Sequence, residues 1–182
     1  ETHYDMVRAG IGMYGLSPDP SVASAQELGL TPVMTLSAPL TSVKVIEEGT
    51  PASYGGTWQA PSRRWVGLVP LGYGDGILRA ASNGAPVAVE TDSGLVKAQI
   101  VGRICMDQFI IDLGPAEGQE GTATQNSGSA PAKVGDQAIL FGDPAKGYPI
   151  ADEWAAHAGT INYEVITRLG ERIPRQYVNE EE

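Results

Sequence analysis

Residues 52–58, Ala-Ser-Tyr-Gly-Gly-Thr-Trp, set one phenol among small residues, where little would stand between Tyr54 and a small molecule. A phenol ordinarily titrates near pH 10, so it carries protons under neutral conditions only where its surroundings lower that value. The same segment also reads as a turn with an aromatic ring packed across it. Arg8 interrupts an apolar run from Val7 to Met13. Its guanidinium stays charged, so it must be paired, face a ligand or lie on an exposed edge. Gly10 and Gly12 leave neighbouring amides open enough to cradle a phosphate. The run Gly72-Tyr73-Gly74-Asp75-Gly76 lacks dinucleotide-fingerprint spacing, and Asp75 would repel a pyrophosphate. A tight turn with Asp75 bonded to its own backbone is the better reading.

Cys105-Met106-Asp107 falls in a strand-like run. No histidine lies near Cys105 in sequence and its flanks are apolar, so it reads as a buried structural thiol rather than a nucleophile. Asp107 needs a partner, either Arg103 or a backbone amide. Lys44, Lys97, Lys133 and Lys146 have no setting that would mark a Schiff-base residue, and His3 and His157 stand too far apart to expect a zinc site.

The elements that must position these groups read mainly as short strands. With 23 glycines and 13 prolines in 182 residues, the chain is broken into many pieces, as in an all-β domain. Residues 33–40 alternate Met34, Leu36, Ala38 and Leu40 on one face, and 42–46 continue past Pro39. Further strands are expected at 65–71, 86–90, 94–101, 102–113 and 137–141, and another beginning at Ile173-Pro174. Strands this many and this short favour a closed or partly closed β-barrel. Short helices are expected near 21–28 and 152–169. In the latter, Asp152 serves as a cap, Gly159 as a stop, Thr160 as a second cap, and Ile161, Val165, Ile166 and Leu169 as one apolar stripe. Residues 116–133, rich in small and polar types, read as a long flexible loop, and 179–182 as an acidic tail.

Composition narrows the classes. A 182-residue chain that is 42% hydrophobic can bury a core of ordinary size. Its net charge of −10 argues against nucleic acid or an anionic membrane as partner. No run approaches the length of a membrane span, and the single cysteine fits a reducing, cytoplasmic setting. The first residue is Glu1 rather than methionine, so a longer parent is expected.

Five segments taken together resemble the C-terminal domain of bacterial alanine racemase: VRAGIGMYGLSP at 7–18, SYGGTW at 53–58, PLGYGDG at 70–76, VGRICMDQ at 101–108 and INYEVITRLGERIPR at 161–175. They occur in the family's order and reach from near one end of the chain to the other. The resemblance implies an isomerase that uses pyridoxal 5'-phosphate to interconvert L- and D-alanine, supplying D-alanine for peptidoglycan. It also implies a homodimer whose sites are shared between subunits. Residues 1–11 would end an N-terminal α/β barrel that carries the cofactor's lysine, and 12–178 would form the β-barrel domain. The 182-residue chain alone is expected to be inactive.

By resemblance, Tyr54 is the base that takes the α-proton of L-alanine, while the barrel's lysine serves the opposite face. Two different acid–base groups flanking one plane racemise without either having to migrate. Arg8 would donate to the pyridine nitrogen, where a permanently charged partner leaves that nitrogen unprotonated and limits transamination. Gly10, Ile11 and Tyr163 would hold the phosphate. The backbone amide of Met106 would hold the substrate carboxylate, and Tyr73 and Asp107 would line a narrow mouth. Ala9 departs from the proline found in many members, and 116–133 looks like a private insertion. Two alternatives remain at this level: racemisation of serine or another small amino acid, and a non-catalytic β-barrel module of a related protein. Related decarboxylases place an acid at the pyridine nitrogen, which the pairing of Tyr54 with Arg8 disfavours.

Overall fold

The computed structural model describes residues 4–116 and 129–178. Seven strands form one antiparallel sheet: β1 (Leu36–Pro39), β2 (Ser42–Ile46), β5 (Arg64–Val69), β6 (Pro86–Thr91), β7 (Gly94–Val101), β8 (Phe109–Pro115) and β9 (Gln137–Phe141). A separate ladder joins β3 (Pro51–Ala52) to β4 (Trp58–Gln59). The sheet order is β1-β9-β6-β7-β8-β5-β2.

Its two edges are therefore consecutive in sequence. Leu40 N–H donates to Asp136 O at 2.9 Å beside β9, and the next amide, Thr41 N–H, donates to Leu68 O at 3.0 Å on β5. Two adjacent residues can reach opposite edges only if the sheet curls back on itself. The expected partly closed barrel follows from that connection.

The interior is filled by the inward positions of the curl, among them Leu40, Val69, Val87, Val89, Ile100, Phe109, Ile111 and Leu140, all buried. The apolar run starting at Trp65 forms β5, whose central residues Trp65, Val66 and Gly67 are all buried. Helices α1 (Ala151–Ala158) and α2 (Asn162–Thr167) pack against the sheet, with Trp154 and Val165 lining one crevice beside Leu36, Leu140 and Phe141. Trp154 is buried there, with its indole N–H on Pro86 O at 3.0 Å. Gly159 ends α1 as expected.

Several local expectations need correction. Residues 21–28 form hydrogen-bonded turns rather than a helix. Side chains start two separate turns there: Asp19 accepts from Ser21 N–H at 3.0 Å and Glu27 from Ser24 N–H at 2.8 Å, with a break between them. The strand expected over 102–113 begins only at Phe109, because 102–108 turn back on themselves through Cys105 N–H to Gln108 O. The segment after Ile173 pairs with no strand among the described residues and takes no regular element. Asp152 lies inside the first turn of α1 instead of capping it, and bonds Asn162. Most of the 116–133 loop and the 179–182 tail lie outside the described residues. Ala116 and Ala132, near the loop's ends, are buried.

Candidate active site

The β3–β4 ladder ties the base of the Tyr54 loop, pairing Ala52 with Trp58. Tyr54 opens a single 3-10 turn, and at 73% exposure it is not folded into its own domain. The loop sits on the 102–105 segment at van der Waals distance. Gly102 has φ +72°, and a Cβ there would lie 2.4 Å from Ala52 O, so only glycine admits this approach. Ser53 Oγ donates to Arg103 O at 2.6 Å and lies 3.3 Å from Cys105 Sγ. The Arg103 guanidinium runs directly beneath Gly55.

Adjacent to this loop, the turn at 72–76 is joined to the same segment. Tyr73 N–H donates to Cys105 O at 3.0 Å and Gly74 N–H to Met106 O at 2.8 Å. Asp75 is buried and accepts from Gly72 N–H at 2.9 Å, so the expectation of an aspartate closing its own turn holds. Tyr73 and Met106 are exposed. Met106 N–H donates to no acceptor among the described residues, which leaves it available to an anion. Asp107 pairs with neither Arg103 nor a backbone amide. Its Oδ1 lies 3.0 Å from Arg172 Nη2, and Arg172 Nε lies 3.1 Å from Asp75 Oδ1.

A second group forms where the leading segment meets α2. Residues 4–10 are exposed and take no regular element, while Ile11 is buried and starts a 3-10 turn to Tyr14. The segment is pinned by the Asn162 side-chain amide, which donates to Ser17 O at 2.9 Å and to Asp152 Oδ1 at 2.7 Å. Burial holds the Asp152 carboxyl above its usual range, and the bond from Asn162 only partly offsets that. Tyr14, Leu16 and Ile166 line one small crevice between the segment and the helix. Tyr163 stands in the first turn of α2, half-exposed. Among the described residues, the amides of Gly10 and Ile11, the Tyr163 hydroxyl and the Arg8 guanidinium donate to no protein acceptor.

The two groups communicate through α2. Gly170 N–H donates to Asp75 O at 2.8 Å, so the far end of the helix rests on the turn that carries Tyr73. Tyr54, Tyr73, Met106 and Asp107 thus belong to one neighbourhood; Arg8, Gly10 and Ile11 lie on the leading segment, and Tyr163 on the helix that this segment meets at Ile166. Roughly the 9 Å length of a six-residue helix separates the ends of α2. One chain offers an outward phenol and a free amide on one side, and a cation with two free amides and a hydroxyl on the other. Nothing brings the two halves to a single point within the described residues.

Arg172 and Ser53 emerge only from the fold. Arg172 is 65 residues from Asp107 in sequence, and no local pattern signals the pair. Ser53 was visible inside the 53–58 segment, but its bond to Arg103 requires the register of two distant loops. Cys105 is only partly buried and is engaged by Ser53, so its reading as a sealed core thiol is corrected.

The family model described as "Alanine racemase, C-terminal domain" matches residues 33–177. The alanine racemase of Streptomyces coelicolor is 46% identical over 180 residues, covering 99% of this chain and 41% of that protein. The solved structure of alanine racemase from Streptomyces coelicolor A3(2) superposes with a TM-score of 0.83 at 45% identity, covering 98% of this chain and 42% of that one. The alanine racemase from the D-cycloserine-producing Streptomyces lavendulae gives a TM-score of 0.83 at 40% identity, over 99% of this chain and 42% of its own. This chain spans about two fifths of the length of the curated relatives it matches. It belongs to the family of alanine racemase C-terminal domains.

Proposed function

We propose that this chain is the C-terminal part of a pyridoxal-phosphate-dependent alanine racemase that works as a homodimer, with each site built from both subunits. The observation that carries this reading is the exposure of Tyr54 on a loop braced by Arg103 and Ser53. A phenol presented outward from a fixed loop suits a pocket formed with another chain. In the proposed division, residues 1–11 leave a preceding α/β barrel and 12–178 form the domain itself. A bacterial cytoplasm, and D-alanine bound for peptidoglycan, are the setting proposed for it.

The donors present fit the cofactor. Its phosphate calls for amide and hydroxyl donors, and the free N–H groups of Gly10 and Ile11 and the Tyr163 hydroxyl supply them. Arg8 would donate to the pyridine nitrogen without giving up its own proton. When bound, pyridoxal phosphate delocalises the electron pair left as the α-proton departs. Tyr54, brought by the partner subunit, takes that proton from L-alanine and returns one to the same face in the reverse reaction. Met106 N–H holds the substrate carboxylate and so fixes which face Tyr54 meets. Tyr73 and Asp107 narrow the mouth, with Arg172 tying Asp107 to the turn that bears Tyr73.

Full-length protein carrying this domain, supplied with pyridoxal phosphate, is expected to bring pure L-alanine and pure D-alanine to the same racemic mixture. Faster turnover of serine than of alanine would reassign the substrate. No turnover of either enantiomer of any small amino acid would refute the reading.

A further inference from the structure

Ser53 has φ +61° and ψ −172°, a backbone region that residues with a side chain rarely occupy. Such a conformation persists only where its surroundings hold it. Two contacts do so here. Ser53 Oγ donates to Arg103 O at 2.6 Å, and the same atom meets Cys105 Sγ at 3.3 Å. The bond joins the residue immediately before Tyr54 to the segment that ends in Met106, across 50 positions of sequence. Tyr54 itself is 73% exposed and its hydroxyl has no partner among the described residues, so nothing beyond its backbone fixes it within this chain.

We infer that Ser53 is a positioning residue for the proposed reaction: its hydroxyl sets the distance between the Tyr54 loop and the Met106 amide. The inference rests on the reading of Tyr54 as the proton carrier. It goes beyond that reading by giving the hydroxyl of Ser53 a separate duty. A glycine at this position would adopt the backbone more easily than serine. The serine therefore trades backbone comfort for its bond to Arg103, which is unexpected if the loop needed only to be stable.

Two variants of the full-length holoenzyme separate positioning from stability. Ser53→Ala keeps the backbone strain and loses the hydroxyl, whereas Ser53→Gly relieves the strain and also loses the hydroxyl. Both are expected to lower kcat at least about tenfold, with KM for alanine held within about twofold, because a misplaced reacting group costs rate rather than affinity. Their Tm values should move apart, with Ala below the parent and Gly at or above it. Amide hydrogen exchange over 53–57 should quicken in both. Wild-type kcat in Ser53→Gly, with its higher Tm, would overturn the inference, since the hydroxyl would then only compensate for strain. Tyr54→Phe, assayed alongside, identifies the other failure. If that variant racemises normally, the role of Tyr54 falls and the positioning role falls with it, whatever the exchange rates show.

Discussion

Asp107 and Arg172 form an ion pair at 3.0 Å across 65 residues of sequence, and the same guanidinium reaches Asp75 at 3.1 Å. One cation thereby ties the turn at 72–76 to the segment at 103–108. The two carboxylates differ in setting: the Asp75 side chain is 10% exposed and that of Asp107 is 63% exposed. The buried partner has more to lose.

Arg172→Met should therefore cost about 1–2 kcal/mol, below the full value for a buried pair because the guanidinium itself is half in water. Asp107→Asn should cost less than about 0.5 kcal/mol. Urea denaturation midpoints of the variants decide the order. Equal losses would mean that Asp75 does not depend on Arg172.

A second ion pair lies within the sheet. Arg64 meets Asp112 with two parallel contacts, Nε to Oδ1 at 2.8 Å and Nη2 to Oδ2 at 2.7 Å, joining β5 to β8. Arg64→Met leaves a carboxylate that is 7% exposed without its cation. A loss of about 2–4 kcal/mol is expected by denaturant titration, while the double variant Arg64→Met with Asp112→Leu should recover most of it.

Alkaline stability should depend on Tyr148. Its hydroxyl donates to the Glu90 carboxylate, and that bond, with a smaller contribution from burial, pushes its pKa up from 10.0 to about 12. Because the folded value is raised, the contribution is complete below pH 10 and is lost as pH climbs to about 12. Tyr148→Phe should be modestly less stable than the parent at neutral pH and show a flatter fall over that window, so that the two converge as pH approaches about 12. Unfolding midpoints measured against pH provide the check.

The shared site makes a prediction about mixtures. If Arg8 and Tyr54 serve one site from different subunits, a hybrid dimer of Arg8→Glu and Tyr54→Phe chains holds one doubly damaged site and one intact site. Mixing and reassembling the two weak full-length homodimers should then restore about a quarter of parental activity, the share expected for random pairing. A site contained in one chain would give no recovery. The Arg8→Glu homodimer should also release more transamination product, because an acid at the pyridine nitrogen strengthens its electron-sink character.

Much of this was legible before any coordinates. The alternation of Met34, Leu36, Ala38 and Leu40 and the unbroken apolar run at Trp65 marked strands because side-chain burial in a curled sheet follows those patterns. The Asp75 turn was readable because its bond is local. What the sequence hid was long-range. Arg172 reaches Asp107 and Asp75 only through the packing of α2 against the 72–76 turn. The 102–108 loop looked like strand because Ile104, Cys105 and Met106 have strand-like character, yet its backbone bonds close on itself at Gln108. The helix expected over 21–28 is divided because Asp19 caps one turn at Ser21 and Glu27, bonded back to Ser24, starts a second, so no continuous run forms.

The most direct test is exchange of the α-hydrogen in full-length Tyr54→Phe, followed separately from L-alanine and from D-alanine in deuterated water. Loss of the phenol should slow exchange from L-alanine about a hundredfold or more while affecting exchange from D-alanine far less, since only one face loses its proton carrier. Equal and mild slowing from both enantiomers would contradict the assignment of Tyr54.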